Sequence, residues 1–165
     1  DLIGPARQKH VEPLYLPELL SQTLKSMGIE PDILTTVYED NIQPVLGDRR
    51  QLDRVFINLI KNAMEAMYQV PEDEKQLTIR VYMSDDGKCV VTEIEDVGEG
   101  IPPDKIDKIW VAFYTTKGDR GGTGLGLAAC AKIIDQLGGK ITVESEVGEG
   151  TTFSVWLPTT DRRPT

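Results

Sequence analysis

Apolar positions recur along this chain in two rhythms, and each predicts a different backbone. Leu16, Leu19, Leu20, Leu24 and Met27 fall at helical spacing, and Gly28 supplies a stop. A longer helical stripe runs through Leu52, Val55, Phe56, Leu59, Ile60, Ala63, Met64 and Met67. Asp48 stands where an N-cap is needed, and Pro71 lies just past the end. Strand-like runs cover Ile33–Tyr38, Gln76–Met83 and Cys89–Glu95, the last two joined by the turn Asp85–Lys88. Pro102 and Pro103 predict a short helix over about Asp104–Ile109. Residues 111–124 lack a period, and a helix over Leu125–Leu137 ends at Gly138 and Gly139. Two strands, Lys140–Glu146 and Thr151–Leu157, meet at Val147–Gly150. Hairpins dominate and helices are interspersed. The expected fold is α/β: a two-layer sandwich, with a mixed, mostly antiparallel sheet and about three helices on one face.

Composition narrows the picture. A chain of 165 residues fits one domain with a proper core. The domain is expected over 16–158, with a tether in 1–15 leading from an upstream domain, and a polar tail in 159–165. The opening Asp1, in place of Met, suggests a piece of a longer protein. No apolar run approaches the roughly 18 residues that span a bilayer. The domain is expected to be cytoplasmic, with membrane anchoring of its parent left open. A net charge of −9 argues against nucleic acid as a partner. Cys89 and Cys130 are too few and too far apart in sequence for a zinc site or redox pair, and read as packed thiols.

Four glycines lie within residues 121–126, and a helical run follows at once. Glycine lets backbone N–H groups approach an anion, and a helix start adds its own free N–H groups, so the pattern suggests a phosphate-binding loop. It is not a Walker loop, because no Lys-Ser/Thr pair follows the last glycine. On the long helix, Asn58 and Asn62 share a face. Asparagine is a mediocre helix former, so the pair is either a solvated polar face or a set of oxygen ligands and phosphate contacts. Asp96, Gly98, Gly100 and Ile101 follow a strand directly. They make either an ordinary glycine turn or a carboxylate beside a backbone against which a flat ring can lie. Between the last strands, Thr151 is placed to support Asp96 or a bridging water.

In this order and spacing the segments resemble the ATP-binding domain of sensor histidine kinases, within the gyrase, chaperone, kinase and mismatch-repair ATPase superfamily with its Bergerat fold. The resemblance extends from about Leu16 to Pro158. It implies ATP and Mg²⁺ as cofactors. Asn62 corresponds to the metal-binding asparagine, with Asn58 beside it on the nucleotide side. Asp96 corresponds to the aspartate that reads the adenine amine, and Gly98, Gly100 and Ile101 line its pocket. Residues 117–126 correspond to the lid over the triphosphate, with Lys117 and Arg120 as cations near the phosphates and Lys61 as a lesser candidate. Lys117 joins Asn62 as the expected catalytic pair. Gly122, Thr123, Gly124 and Gly126 offer the loop's donors, and Leu125 and Leu127 anchor the helix. Phe113 belongs to the aromatic segment before the lid, where Trp110 and Ala112 depart from the usual Phe and Pro.

The superfamily's hydrolases carry a glutamate four residues before the metal asparagine, and it serves as their general base. Here that position is Asn58, whose amide cannot take a proton at useful pH. Phosphoryl transfer is therefore expected over hydrolysis, the protein acting by positioning and charge neutralisation. The acceptor would be a histidine on a separate helical dimerisation domain, with a response regulator receiver domain downstream. His10, followed by Val11 and close to Pro13, does not fit that role. An anti-sigma-type serine kinase and a nucleotide-binding module without catalysis are the alternatives.

Overall fold

Asp48 anchors the longest helix as its position predicts. In the computed structural model, which describes residues 10–111 and 125–160, its carboxylate accepts hydrogen bonds from the backbone N–H groups of Arg50 and Gln51. These are two of the donors that the first turn of a helix leaves without partners. The helix runs over Arg49–Ala66 (α2) and buries Leu52, Val55, Phe56, Leu59, Ile60 and Ala63 along one stripe. Before it comes Leu16–Ser26 (α1), and after it Leu125–Gln136 (α3). Gly138 follows α3 with φ of +83°, a conformation glycine adopts without Cβ strain.

Five strands form the main sheet: Leu34–Tyr38 (β2), Leu77–Met83 (β4), Cys89–Asp96 (β5), Lys140–Glu146 (β6) and Gly150–Pro158 (β7). Their spatial order is β2-β4-β5-β7-β6. Among the described strands, only β2 and β4 pair in parallel. One face of the sheet carries Ile79, Val81, Val90, Ile94, Phe153, Val155 and Leu157 into the same core as the helical stripes. The opposite face carries Arg80, Tyr82, Glu93 and Trp156. The expected sandwich, a mixed sheet with three helices among the described residues, is what the chain forms.

Two features differ from the sequence expectation. Val11–Leu14 (β1) and Val45–Asp48 (β3) pair antiparallel as a small second sheet. Part of the segment read as a tether is thereby packed on the domain, and the side chain of Leu14 is buried. The predicted helix over 104–109 is a chain of turns ending in a 3₁₀ turn, Lys108–Trp110. Its N–H groups bond three residues back, Lys105 to Pro102 and Lys108 to Lys105. Only Ile109 in that stretch is buried, so no apolar stripe holds a regular helix in place.

Candidate functional site

The loop after β5 is fixed by contacts that only glycine permits. A Cβ on Gly98 would stand 2.4 Å from the carbonyl oxygen of Ala66, at the end of α2. A Cβ on Gly100 would stand 2.3 Å from the carbonyl oxygen of Glu146, and its φ of +79° disfavours any other residue. Hydrogen bonds complete the clamp. Glu99 N–H donates to Ala66 O at 3.2 Å, and Gly148 N–H donates to Glu99 O at 3.0 Å. The loop is held between the end of α2 and the β6–β7 hairpin.

Asp96 ends β5 and is 3% exposed. One of its carboxylate oxygens accepts from Gly98 N–H at 2.7 Å, which fixes the orientation of the group. Thr151 is its cross-strand neighbour on β7. The Thr151 hydroxyl meets Ser145 Oγ at 2.7 Å. Ser145 in turn accepts from Ile101 N–H at 2.8 Å and donates to Gly150 O at 3.0 Å. A hydroxyl has one hydrogen, so Thr151 is the donor to Ser145. Thr151 thus reaches the loop through Ser145 and Ile101. The sequence reasoning did not single out Ser145. Its signal was a polar residue in step with Ile141 and Val143, on the inward side of an alternating strand.

Asn58 and Asn62 both face outward from the buried stripe of α2, half-exposed and four residues apart. Lys61 is solvent-exposed. Gly126 of α3 lies against Asn58: a Cβ there would be 3.6 Å from the asparagine amide. Asn58 Nδ2 donates to Cys130 Sγ at 3.6 Å. Leu127 packs against the core at the start of α3, and the backbone of Leu125 opens that helix. Trp110 meets the ring of Phe153 edge-on, with centroids 6.0 Å apart, so this position is an aromatic anchor on β7. Phe113, Lys117, Arg120, Gly122, Thr123 and Gly124 lie outside the described residues.

A pocket of about 380 Å³ adjoins the clamp, between residues 68–74 and Val97–Glu99. Asp96, Asn58 and Asn62 do not line that pocket, and their chemistry is distinct from it. A buried, oriented carboxylate suits an exocyclic amine as hydrogen-bond donor, and the glycines beside it fix its loop against the backbone of Ala66 and Glu146. Neutral amide oxygens on α2 suit a hard cation that keeps most of its water.

The sequence profile of the "Histidine kinase-, DNA gyrase B-, and HSP90-like ATPase" family matches residues 47–161, which include every residue of the candidate site. The chain belongs to this family. Its relatives place it among the ATP-binding domains of sensor histidine kinases. It is 43% identical over 131 residues to the sensor kinase CckA of Brucella abortus, covering 72% of this chain and 13% of that protein. It is 37% identical over 141 residues to the sensor histidine kinase ZraS of Escherichia coli, covering 86% of this chain and 28% of that protein. The chain thus spans less than a third of either relative. The catalytic domain of the histidine kinase ThkA, solved without nucleotide, superposes with a TM-score of 0.73 at 29% identity. That match covers 91% of this chain and 98% of the ThkA domain. No helix among the described residues is long and apolar enough to cross a membrane.

Proposed function

We propose that this domain binds ATP with Mg²⁺ and presents the γ-phosphate to a histidine on a separate helical dimerisation domain of the same parent protein. A receiver domain of a response regulator would take the phosphoryl group onward. Asp96 would accept from the adenine amine, with Gly98, Gly100 and Ile101 forming the wall against which the ring lies. Asn62 would hold the metal through its amide oxygen, with Asn58 next to it. Mg²⁺ would supply charge neutralisation on the triphosphate. Lys117, Arg120, Gly122, Thr123 and Gly124 are assigned to the phosphates, and Phe113 to the segment before them, on sequence alone.

One observation favours transfer over hydrolysis. The α2 station where a general base would have to stand carries Asn58, whose amide is engaged with Cys130 and takes up no proton. The expected result with γ-labelled ATP is no label on the chain by itself. Acid-labile, alkali-stable label should appear on an added phosphoacceptor domain from the parent protein. Label on His10, or release of phosphate with no transfer, would overturn the proposal. Asp96→Asn should weaken ATP binding by about tenfold in calorimetry, since an N–H₂ group would face the adenine amine and leave a buried donor unpaired.

A further inference from the structure

Asn58 and Cys130 are 72 residues apart in sequence, yet they meet where α3 packs on α2. Cys130 is fully buried. Its Sγ lies 3.8 Å from the carbonyl oxygen of Val55 and 3.6 Å from Asn58 Nδ2. A carbonyl only accepts, so the thiol hydrogen is directed to Val55. Sulfur then has only lone pairs to offer, and only the N–H₂ end of the Asn58 amide can meet it. Burial pushes the thiol up from its ordinary pKa, against a smaller lowering by the Asn58 hydrogen bond, so Cys130 keeps the hydrogen that this direction requires. Gly126, one helical turn before Cys130, also lies against the amide: a Cβ there would stand 3.6 Å from Cγ and Nδ2 and 3.8 Å from Oδ1. The amide packs against these two positions of α3, and Oδ1 is the end turned away from the thiol.

We propose that Cys130 is a positioning residue of the nucleotide site: its thiol sets the rotation of the Asn58 amide so that Oδ1, and not Nδ2, faces the bound Mg-nucleotide. This rests on placing Asn58 at that site. It has a chemical consequence. An amide oxygen and a phosphate oxygen are both acceptors and repel, so Asn58 in this rotation cannot serve the triphosphate directly. It can accept from water molecules held by Mg²⁺. Asn58 would therefore serve the metal, directly or through its water, and the influence of Cys130 should depend on the metal.

Two variants of the 165-residue chain separate this role from packing. Cys130→Val fills a similar volume but offers the amide no lone pair. Cys130→Ser keeps both a donor and an acceptor. Calorimetric titration with ATP should show Cys130→Val binding roughly three- to tenfold more weakly than the parent in Mg²⁺, the span of one net hydrogen bond. In excess chelator the two should agree within about twofold. Cys130→Ser should recover most of the Mg²⁺-dependent affinity. A second readout needs no nucleotide. The side-chain amide protons of Asn58, identified in heteronuclear NMR spectra by their absence in Asn58→Asp, should shift in Cys130→Val and return toward the parent in Cys130→Ser. Equal Mg-ATP affinity in parent and Cys130→Val would overturn the role of Cys130, as would an equal loss with and without Mg²⁺. Failure of the parent itself to bind ATP would instead overturn the nucleotide site on which the role rests.

Discussion

Gly98 is the residue at which backbone geometry and the proposed recognition chemistry meet most tightly. Its N–H orients the Asp96 carboxylate, and its missing Cβ lets the loop reach the Ala66 carbonyl. An alanine at 98 would collide with backbone, not with the movable end of a side chain. The loop or the last turn of α2 would have to give way. Gly98→Ala is therefore expected to lose about 1–3 kcal/mol of stability, the usual cost of overpacking, and to weaken ATP binding as Asp96 turns. Denaturant melts and calorimetric titration measure the two effects separately. A variant with unchanged stability and affinity would show that the loop is not clamped at Ala66. Part of this local geometry was legible before the fold was known. Asp96, Gly98 and Gly100 stand out because a carboxylate and two glycines directly after a strand are costly unless used. Ser145 and Cys130 did not stand out, because a serine in a strand and a cysteine in a helix are ordinary until their partners are known.

At the scale of the element, α2 is the beam on which the site is built, and Asp48 holds its N-terminus. Burial alone would push the Asp48 carboxyl up. Hydrogen bonds from the backbone of His10, Gln51 and Arg50, with the nearby His10 charge, outweigh it and hold the group below its ordinary value of 3.8. The folded carboxyl is thus the stronger acid, so its stabilising contribution is complete above the unfolded value. It disappears as pH falls through the lowered folded one. Asp48→Ala should cost about 1 kcal/mol or somewhat more at neutral pH, as lost N-caps do. As pH falls below 3.8 the difference from the parent should narrow, because the parent's cap becomes protonated. Urea unfolding of both proteins across the acid range is the measurement. A gap independent of pH would mean that the side chain acts by packing. The same carboxylate also binds His10 N–H at 3.0 Å, so the cap ties β1 to the start of α2.

Across the whole molecule, the sheet separates a dry face from a charged one. On the open face Arg80 reaches Glu95 at 2.5 Å and Glu93 at 3.2 Å, and the Tyr82 hydroxyl donates to Glu93. Lys140 lies over the Trp156 ring at 4.7 Å. Val91 sits in register between Tyr82 and Trp156 and is fully buried although it is on this face. Burial, followed by the hydrogen bond to Glu93, pushes the Tyr82 phenol from 10.0 up to about 12. A raised folded value favours the protonated, folded form. That contribution is complete below pH 10 and is lost as pH rises through about 12. The parent should therefore lose more stability than Tyr82→Phe between pH 9 and about 12, measured by urea unfolding. Parallel losses in the two proteins would place the ionising tyrosine elsewhere.

Periodicity, capping and glycine placement are local, and the sequence determined what depends on them. Three helices, the main strands, the Asp48 cap and the clustering of Asp96 with its glycines follow from side-chain spacing and from steric limits on each residue's backbone. The family resemblance rests on the same motifs in the same order. Only the tertiary structure decided which edges meet. The β1–β3 pair forms because distant segments lie side by side, and neither four-residue strand has a period long enough to declare itself. The turns over 103–107 replaced a predicted helix because too few apolar side chains were available to bury. Ser145 found Ile101, and Cys130 found Asn58, across 44 and 72 residues. A hydrogen bond over such a separation leaves no spacing in the sequence, since its partners are brought together by the packing of the sheet and helices between them.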